Sequence, residues 1–134
     1  RFSEALDSYR RALLVDSNNA WARGCLAWAE LRRGRLGRAY YQARMALRLD
    51  PRYADALTIV AGVQRRLGLP GRAESSLLAA IALDRQRSWA YLELARLKYD
   101  GGDGPAALGV LTDFLTISPN DEDTLALLAR LSGS

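Results

Sequence analysis

Four segments of the chain repeat one pattern at a fixed interval of 34 residues. They are ALLVDSNNAWA from Ala12, ALRLDPRYADA from Ala46, AIALDRQRSWA from Ala80 and FLTISPNDEDT from Phe114. Small residues return at the same interval, in one column of Ala5, Ala39, Ala73 and Ala107 and another of Gly34, Gly68 and Gly102. A constant period of this length indicates a repeat architecture, in which each supersecondary unit stacks on the next.

Each unit is predicted to be a pair of helices. Apolar residues recur at three- and four-residue steps, the spacing that places side chains on one face of a helix. The glycine column is expected to end the first helix of each pair, because glycine adopts the left-handed conformation that closes a helix. The predicted helices cover residues 3–15, 20–33, 37–49, 54–67, 71–83, 88–100, 105–117 and 122–132. Such short helices are marginal alone, so their apolar faces must be covered by neighbours.

The columns resemble the tetratricopeptide repeat (TPR), a 34-residue helix-turn-helix unit with the pattern W-x2-L-G-x2-Y, A-x3-F, P. The large apolar position of this pattern holds Leu26, Val60, Leu94 and Leu128, and the small position beside it holds Ala27, Ala61, Ala95 and Ala129. The Ala column and two of the prolines, Pro51 and Pro119, also match. The Trp position departs from the pattern, with Arg23, Leu57, Tyr91 and Leu125.

The resemblance implies an all-α fold, an α-solenoid of about eight helices stacked as antiparallel pairs in a TPR superhelix. Residues 1–134 would form a single domain, with a partial repeat at 1–19, repeats at 20–53, 54–87 and 88–121, and a partial repeat at 122–134. Half-repeats at both ends predict a fragment of a longer array.

The chain is predicted to be non-catalytic. It has no His and a single Cys, so a common general base and the paired ligands of a metal site are missing. No apolar run approaches the ~18 residues that a membrane helix needs. We therefore expect no enzyme activity, no metal, no cofactor and no membrane span in this segment.

In the family that the chain resembles, the first helix of each repeat lines a concave groove. The resemblance places the following residues there: Trp21, Cys25, Trp28, Asp55, Ile59, Arg65, Trp89, Leu92, Arg96, Tyr99 and Arg130. Trp, Tyr and Arg carry most of the binding energy at protein interfaces, which predicts a protein or peptide partner. The competing interpretation is that the three Trp residues pack against adjacent helices.

Some members of the family hold a C-terminal carboxylate with Lys and Asn side chains in this groove. The corresponding positions here include Gly24 and Trp28, which lack that clamp. An apolar or aromatic segment with acidic flanks is therefore the predicted ligand.

A second candidate surface is a basic edge where the helix turns align. It comprises Arg32, Arg33, Arg35, Arg38, Arg66 and Arg72. An acidic protein face or a phosphate polymer could bind here, and a solvated edge is the alternative. Because the third repeat replaces two of these columns with Asp100 and Ala106, a continuous nucleic-acid track is disfavoured.

Two other functions remain open from the sequence. Residues 1–72 hold 14 Arg against 6 acidic residues, and residues 73–134 hold 5 basic against 9 acidic residues, which gives +8 and −4. Self-association through these halves, or through the half-repeats, is one alternative. A polysaccharide-binding segment of a bacterial export system is the other, since Trp faces stack on sugars. The compartment stays open between bacterial cytoplasm and periplasm.

Overall fold

The computed structural model describes residues 2–133 as eight α-helices. They are α1 (Phe2–Val15), α2 (Ala20–Arg32), α3 (Leu36–Leu49), α4 (Ala54–Arg66), α5 (Pro70–Leu83), α6 (Ser88–Asp100), α7 (Gly104–Ile117) and α8 (Glu122–Gly133). Each boundary lies within one residue of the bound predicted from the repeat. The all-α solenoid expected from the sequence is confirmed.

Glycines end the even-numbered helices where the period predicts. Gly34, Gly68 and Gly102 have φ angles of 76°, 76° and 90°, the left-handed conformation that side-chain-bearing residues avoid. Their amides close the last turn by donating to the Leu31, Arg65 and Tyr99 carbonyls. This closure turns the chain sharply into the next odd-numbered helix.

The helices pack as a chain of antiparallel hairpins. Each helix contacts the next one in sequence, and each even-numbered helix also contacts the next even-numbered helix. Within residues 2–133, no odd-numbered helix packs against another. The even-numbered helices are therefore the crowded inner layer, and the odd-numbered helices are splayed apart on the outer layer. This difference curves the stack and puts α2, α4, α6 and α8 on its concave side.

Alanine columns allow the helices to approach closely. Ala39, Ala73 and Ala107 in the odd-numbered helices are at most 1% exposed, and Ala27, Ala61 and Ala95 in the even-numbered helices at most 2%. Larger apolar residues fill the space around them in four successive clusters along the stack, centred on Leu26, Val60, Leu94 and Leu111. The core is therefore a series of interfaces between neighbours, as expected for a solenoid.

A glycine inside α4 admits a side chain from the preceding even-numbered helix. A Cβ atom added at Gly62 would lie 2.8 Å from Leu31 Cδ2, so only glycine lets α2 and α4 pack at this separation. Gly109 in α7 differs, because an added Cβ would meet nothing within 4 Å.

These two glycines should respond oppositely to alanine. Gly109→Ala is expected to raise the free energy of unfolding by about 0.5–1 kcal/mol, since alanine is the better helix former. Gly62→Ala gains the same propensity but overpacks against Leu31, a cost of about 1–3 kcal/mol, so no net gain is expected. Urea denaturation of both variants measures the difference. If Gly62→Ala were stabilised as much as Gly109→Ala, the proposed contact with Leu31 would be wrong.

Candidate partner-binding groove

A cavity of about 460 Å³ opens on the concave side, and we call it the aromatic cavity. Its lining comes from α1, α2, α4 and α6 and from the turns before α4 and α6. The lining residues are Tyr9, Trp21, Gly24, Cys25, Trp28, Tyr53, Asp55, Ile59, Arg87 and Trp89. Half of them are aromatic, which is the composition of a site that binds apolar or planar groups.

Two of the tryptophans are open to solvent. Trp21 is 63% exposed and Trp28 39% exposed, although both rings are large and apolar. Tyr9 meets Trp21 edge to face, with ring centroids 5.9 Å apart. Trp89 is only partly buried and packs on the core cluster that contains Ile59. The two sequence interpretations therefore both apply: Trp89 packs against neighbours, whereas Trp21 and Trp28 present free surface.

The residue before each even-numbered helix decides whether a side chain caps that helix or enters the cavity. Asn19 accepts a hydrogen bond from the Ala22 amide, and Asp121 accepts one from the Thr124 amide. Tyr53 and Arg87, at the corresponding positions, make no side-chain cap. They line the aromatic cavity, at a cost of about 1 kcal/mol of cap stabilisation each.

Tyr53 lies against the backbone of α2. A Cβ atom at Gly24 would collide with the phenol ring, so glycine is needed there for Tyr53 to reach the cavity. Burial raises the pKa of Tyr53 to about 12. Burial also raises the pKa of the Cys25 thiol, which keeps it protonated and makes it a poor nucleophile.

An ion pair crosses the cavity wall from α4 to the turn before α6. Arg87 donates from Nε and Nη2 to the two carboxylate oxygens of Asp55, at 2.9 and 2.8 Å. This two-bond geometry fixes the plane of the guanidinium. The hydrogen bonds to Asp55 raise the pKa of Arg87 further, so it stays charged.

Six of the eleven residues predicted for the groove line the aromatic cavity: Trp21, Cys25, Trp28, Asp55, Ile59 and Trp89. The sequence prediction missed Tyr9, Gly24, Tyr53 and Arg87. Tyr53 and Arg87 lie 34 residues apart in the column of Asn19 and Asp121. The absence of a capping residue type at those two positions was the signal that could have found them.

The other five predicted residues lie outside the aromatic cavity. Arg65 lies beside Gly62 in a narrow crevice that Glu93 also lines, and Arg96 pairs with Glu93 at 2.9 Å. Tyr99 and Arg130 belong to the last turns of α6 and α8. Leu92 needs a correction: it is 7% exposed and packs in the core cluster with Ala95, Ala107, Leu111 and Leu127. It faces α7 and α8 because it is one helical step away from the open stripe.

The six arginines of the predicted basic edge do not act as one patch. Arg32 stacks over Trp28, with its guanidinium carbon 4.8 Å from the ring centroid. Arg66 donates to the Leu31 carbonyl at the end of α2 and so joins two repeats. Arg72 lines a separate cavity with Tyr40 and Leu67. Arg33 is exposed at the end of α2.

Arg35 and Arg38 lie on either side of Glu30, a carboxylate that is 4% exposed. The two guanidinium groups are 3.8 and 4.0 Å from its oxygens, within ion-pair range but too far for hydrogen bonds. Oε1 of Glu30 accepts no hydrogen bond within the described residues. The buried charge is therefore poorly compensated.

Comparison with solved structures settles the fold. The thermophilic TPR protein TTC0263 of Thermus thermophilus superposes with a TM-score of 0.85 at 24% identity, over 96% of this chain and 72% of that one. The chain has the tetratricopeptide-repeat fold. A second TPR structure, the first TPR of Spaghetti (RPAP3) bound to the HSP90 peptide SRMEEVD, matches with a TM-score of 0.74 at 22% identity, over 88% of this chain and 96% of that one.

Sequence comparison gives a shorter match to another TPR protein. The inactive TPR repeat-containing thioredoxin TTL3 of Arabidopsis thaliana is 42% identical over 67 residues, which is 50% of this chain. The match spans a tenth of that protein's length. No family model matches the chain.

Two further features bear on the kind of site that the TPR array offers. Across residues 2–133, no three His, Cys, Asp or Glu side chains are grouped so that they could hold a metal ion. In the same range, no helix is long and apolar enough to cross a membrane.

The raised pKa of Tyr53 predicts a loss of stability in alkali. The unfolded chain ionises this phenol near pH 10, whereas the folded chain keeps it protonated up to about pH 12. Its contribution is complete below pH 10 and is lost as the pH rises from 10 to 12. The unfolding free energy should therefore fall more steeply in this window for the natural chain than for Tyr53→Phe. Parallel curves would contradict the burial of this hydroxyl.

Replacing Glu30 by an apolar residue should stabilise the TPR array. Glu30→Met is expected to raise the unfolding free energy by about 1 kcal/mol, because the desolvated carboxylate has no short hydrogen bond to offset its burial. Glu93→Met serves as the control, since Glu93 is more exposed and pairs with Arg96 at 2.9 Å. Urea denaturation measures both variants. A loss of stability in Glu30→Met would show that the two distant arginines compensate the charge.

Proposed function

We propose that the chain is a non-catalytic scaffold that binds an extended segment of another protein in its concave groove, with one apolar or aromatic side chain of that segment in the aromatic cavity. The exposure of Trp21 and Trp28 carries this proposal. Large aromatic residues at an open concave surface mark a binding site, because leaving them in water costs the free energy that burial would return.

The charge around the cavity favours an acidic segment. Asp55 and Arg87 neutralise each other, and Arg32 adds a positive charge beside Trp28. Guanidinium groups already lie near the Trp28 and Trp89 rings, with Arg87 6.0 Å from the Trp89 centroid. A cationic ligand would meet like charge at both rings, whereas a carboxylate beside the apolar anchor would be attracted.

The peptide-bound RPAP3 structure supports the proposal. It shows that a TPR domain of similar fold takes up a short peptide, SRMEEVD, which contains two acidic residues in a row. Gly24 and Trp28 stand where the carboxylate clamp would need Lys or Asn. We therefore propose recognition of an internal acidic segment with an apolar anchor, and not of a free C-terminus.

The double variant Trp21→Ala, Trp28→Ala tests the groove. Phage-displayed random peptides select ligands for the natural chain, and calorimetry then compares synthetic copies. The variant should fold, as its circular dichroism would show, and lose about 2 kcal/mol of binding free energy or more, roughly 30-fold in affinity. Tyr41→Ala is the matched control, because Tyr41 is 56% exposed and lines a different cavity. Equal affinity in the double variant would overturn the proposal.

Cys25 supplies an independent check of location. It is the only cysteine and lines the aromatic cavity, so a selected peptide should slow its labelling by a neutral maleimide. An anionic oligosaccharide added in place of the peptide tests the sugar alternative. Protection by the oligosaccharide, with no peptide selected, would replace the protein-binding proposal.

A further inference from the structure

Arg87 lies where other repeats place a helix cap. The array uses Asn19 and Asp121 at the corresponding positions to satisfy helix amides, but Arg87 has no acceptor for that purpose. Its side chain is 51% exposed and lines the aromatic cavity. An arginine at this position therefore lowers helix stability and adds a fixed cation to the groove.

Asp55 determines which part of Arg87 remains available. A guanidinium carries five N–H donors, and Asp55 accepts one from Nε and one from Nη2. Nη1 makes no hydrogen bond to any of residues 2–133 that the structure records. Asp55 is the less exposed partner, with 28% of its side chain accessible. The pair therefore offers a surplus of donors to whatever occupies the cavity.

The position of the surplus donors fits a ligand carboxylate close to an apolar anchor. Arg87 and the rings of Tyr53 and Trp89 line the same cavity, so a group at Nη1 is adjacent to a side chain held by those rings. Asp55 holds the guanidinium plane, so little side-chain freedom remains to be lost on binding.

We propose that Arg87, oriented by Asp55, selects the partner by donating hydrogen bonds to an Asp or Glu side chain that lies next to the apolar anchor of the bound segment. This proposal rests on the proposed function. Arg87 is then a specificity-determining residue contributed by a turn, and the helices of the groove contribute the apolar contacts.

The test uses a peptide selected on the natural chain and two synthetic copies, in which the acidic residue beside the anchor is Glu or Gln. Calorimetry at about 0.1 M salt measures both copies against the natural chain, Arg87→Gln and Arg85→Gln. The last variant is the control, because it removes the same charge two residues away, in a different cavity. Circular dichroism verifies the fold of each variant.

The natural chain should bind the Glu copy about tenfold more tightly than the Gln copy, the usual size of a charge-assisted hydrogen bond. Arg87→Gln should remove this preference and still bind the Gln copy normally, and Arg85→Gln should retain it. Equal affinities on the natural chain, a preference that survives in Arg87→Gln, or an equal loss for both copies in that variant would each overturn the selective role. An equal loss would mean that Arg87 only supports the cavity wall.

The same measurements separate this inference from the function on which it rests. If no peptide depends on Trp21 and Trp28, the groove itself is not the binding site. If the peptides need the tryptophans but ignore Arg87, the groove binds partners and the acidic selection is wrong.

Discussion

The structure depends on the close approach of helices that are too short to be stable alone. Each has 12 to 14 residues and gains its stability from apolar contact with the next. Alanine at the crossing points lets neighbouring backbones approach, and the contact between Gly62 and Leu31 shows the same requirement between even-numbered helices. Because inner helices touch and outer helices do not, the requirement for contact also creates the curvature that forms the groove.

The groove is built from features that reduce stability. Trp21 and Trp28 remain in water, and Tyr53 and Arg87 replace residues that could cap α4 and α6. These departures occur together, around one cavity. Local sequence choices that oppose folding are expected at functional sites, because the fold elsewhere compensates for them. The clustering therefore supports the assignment of this surface to partner binding.

The helices could be predicted because their period is set by local backbone packing, which the alanine and glycine columns record directly. Part of the cavity was also predictable, since Trp21, Cys25 and Trp28 follow helical spacing on α2. Tyr53 and Arg87 were missed because the direction of a turn side chain depends on capping and not on the helical period. Leu92 was misplaced because a rotation of about 100° per residue separates the open face from the core.

The aromatic cavity draws its walls from three successive hairpins, from Tyr9 in α1 to Trp89 in α6. In a solenoid, each unit is otherwise held mainly by the one before and the one after. A bound segment would thus bridge units that do not touch each other, and it would make them unfold together. Mechanical tension along the array would then be resisted by the occupied groove as a single block, so that occupancy would set the stiffness of this part of the superhelix.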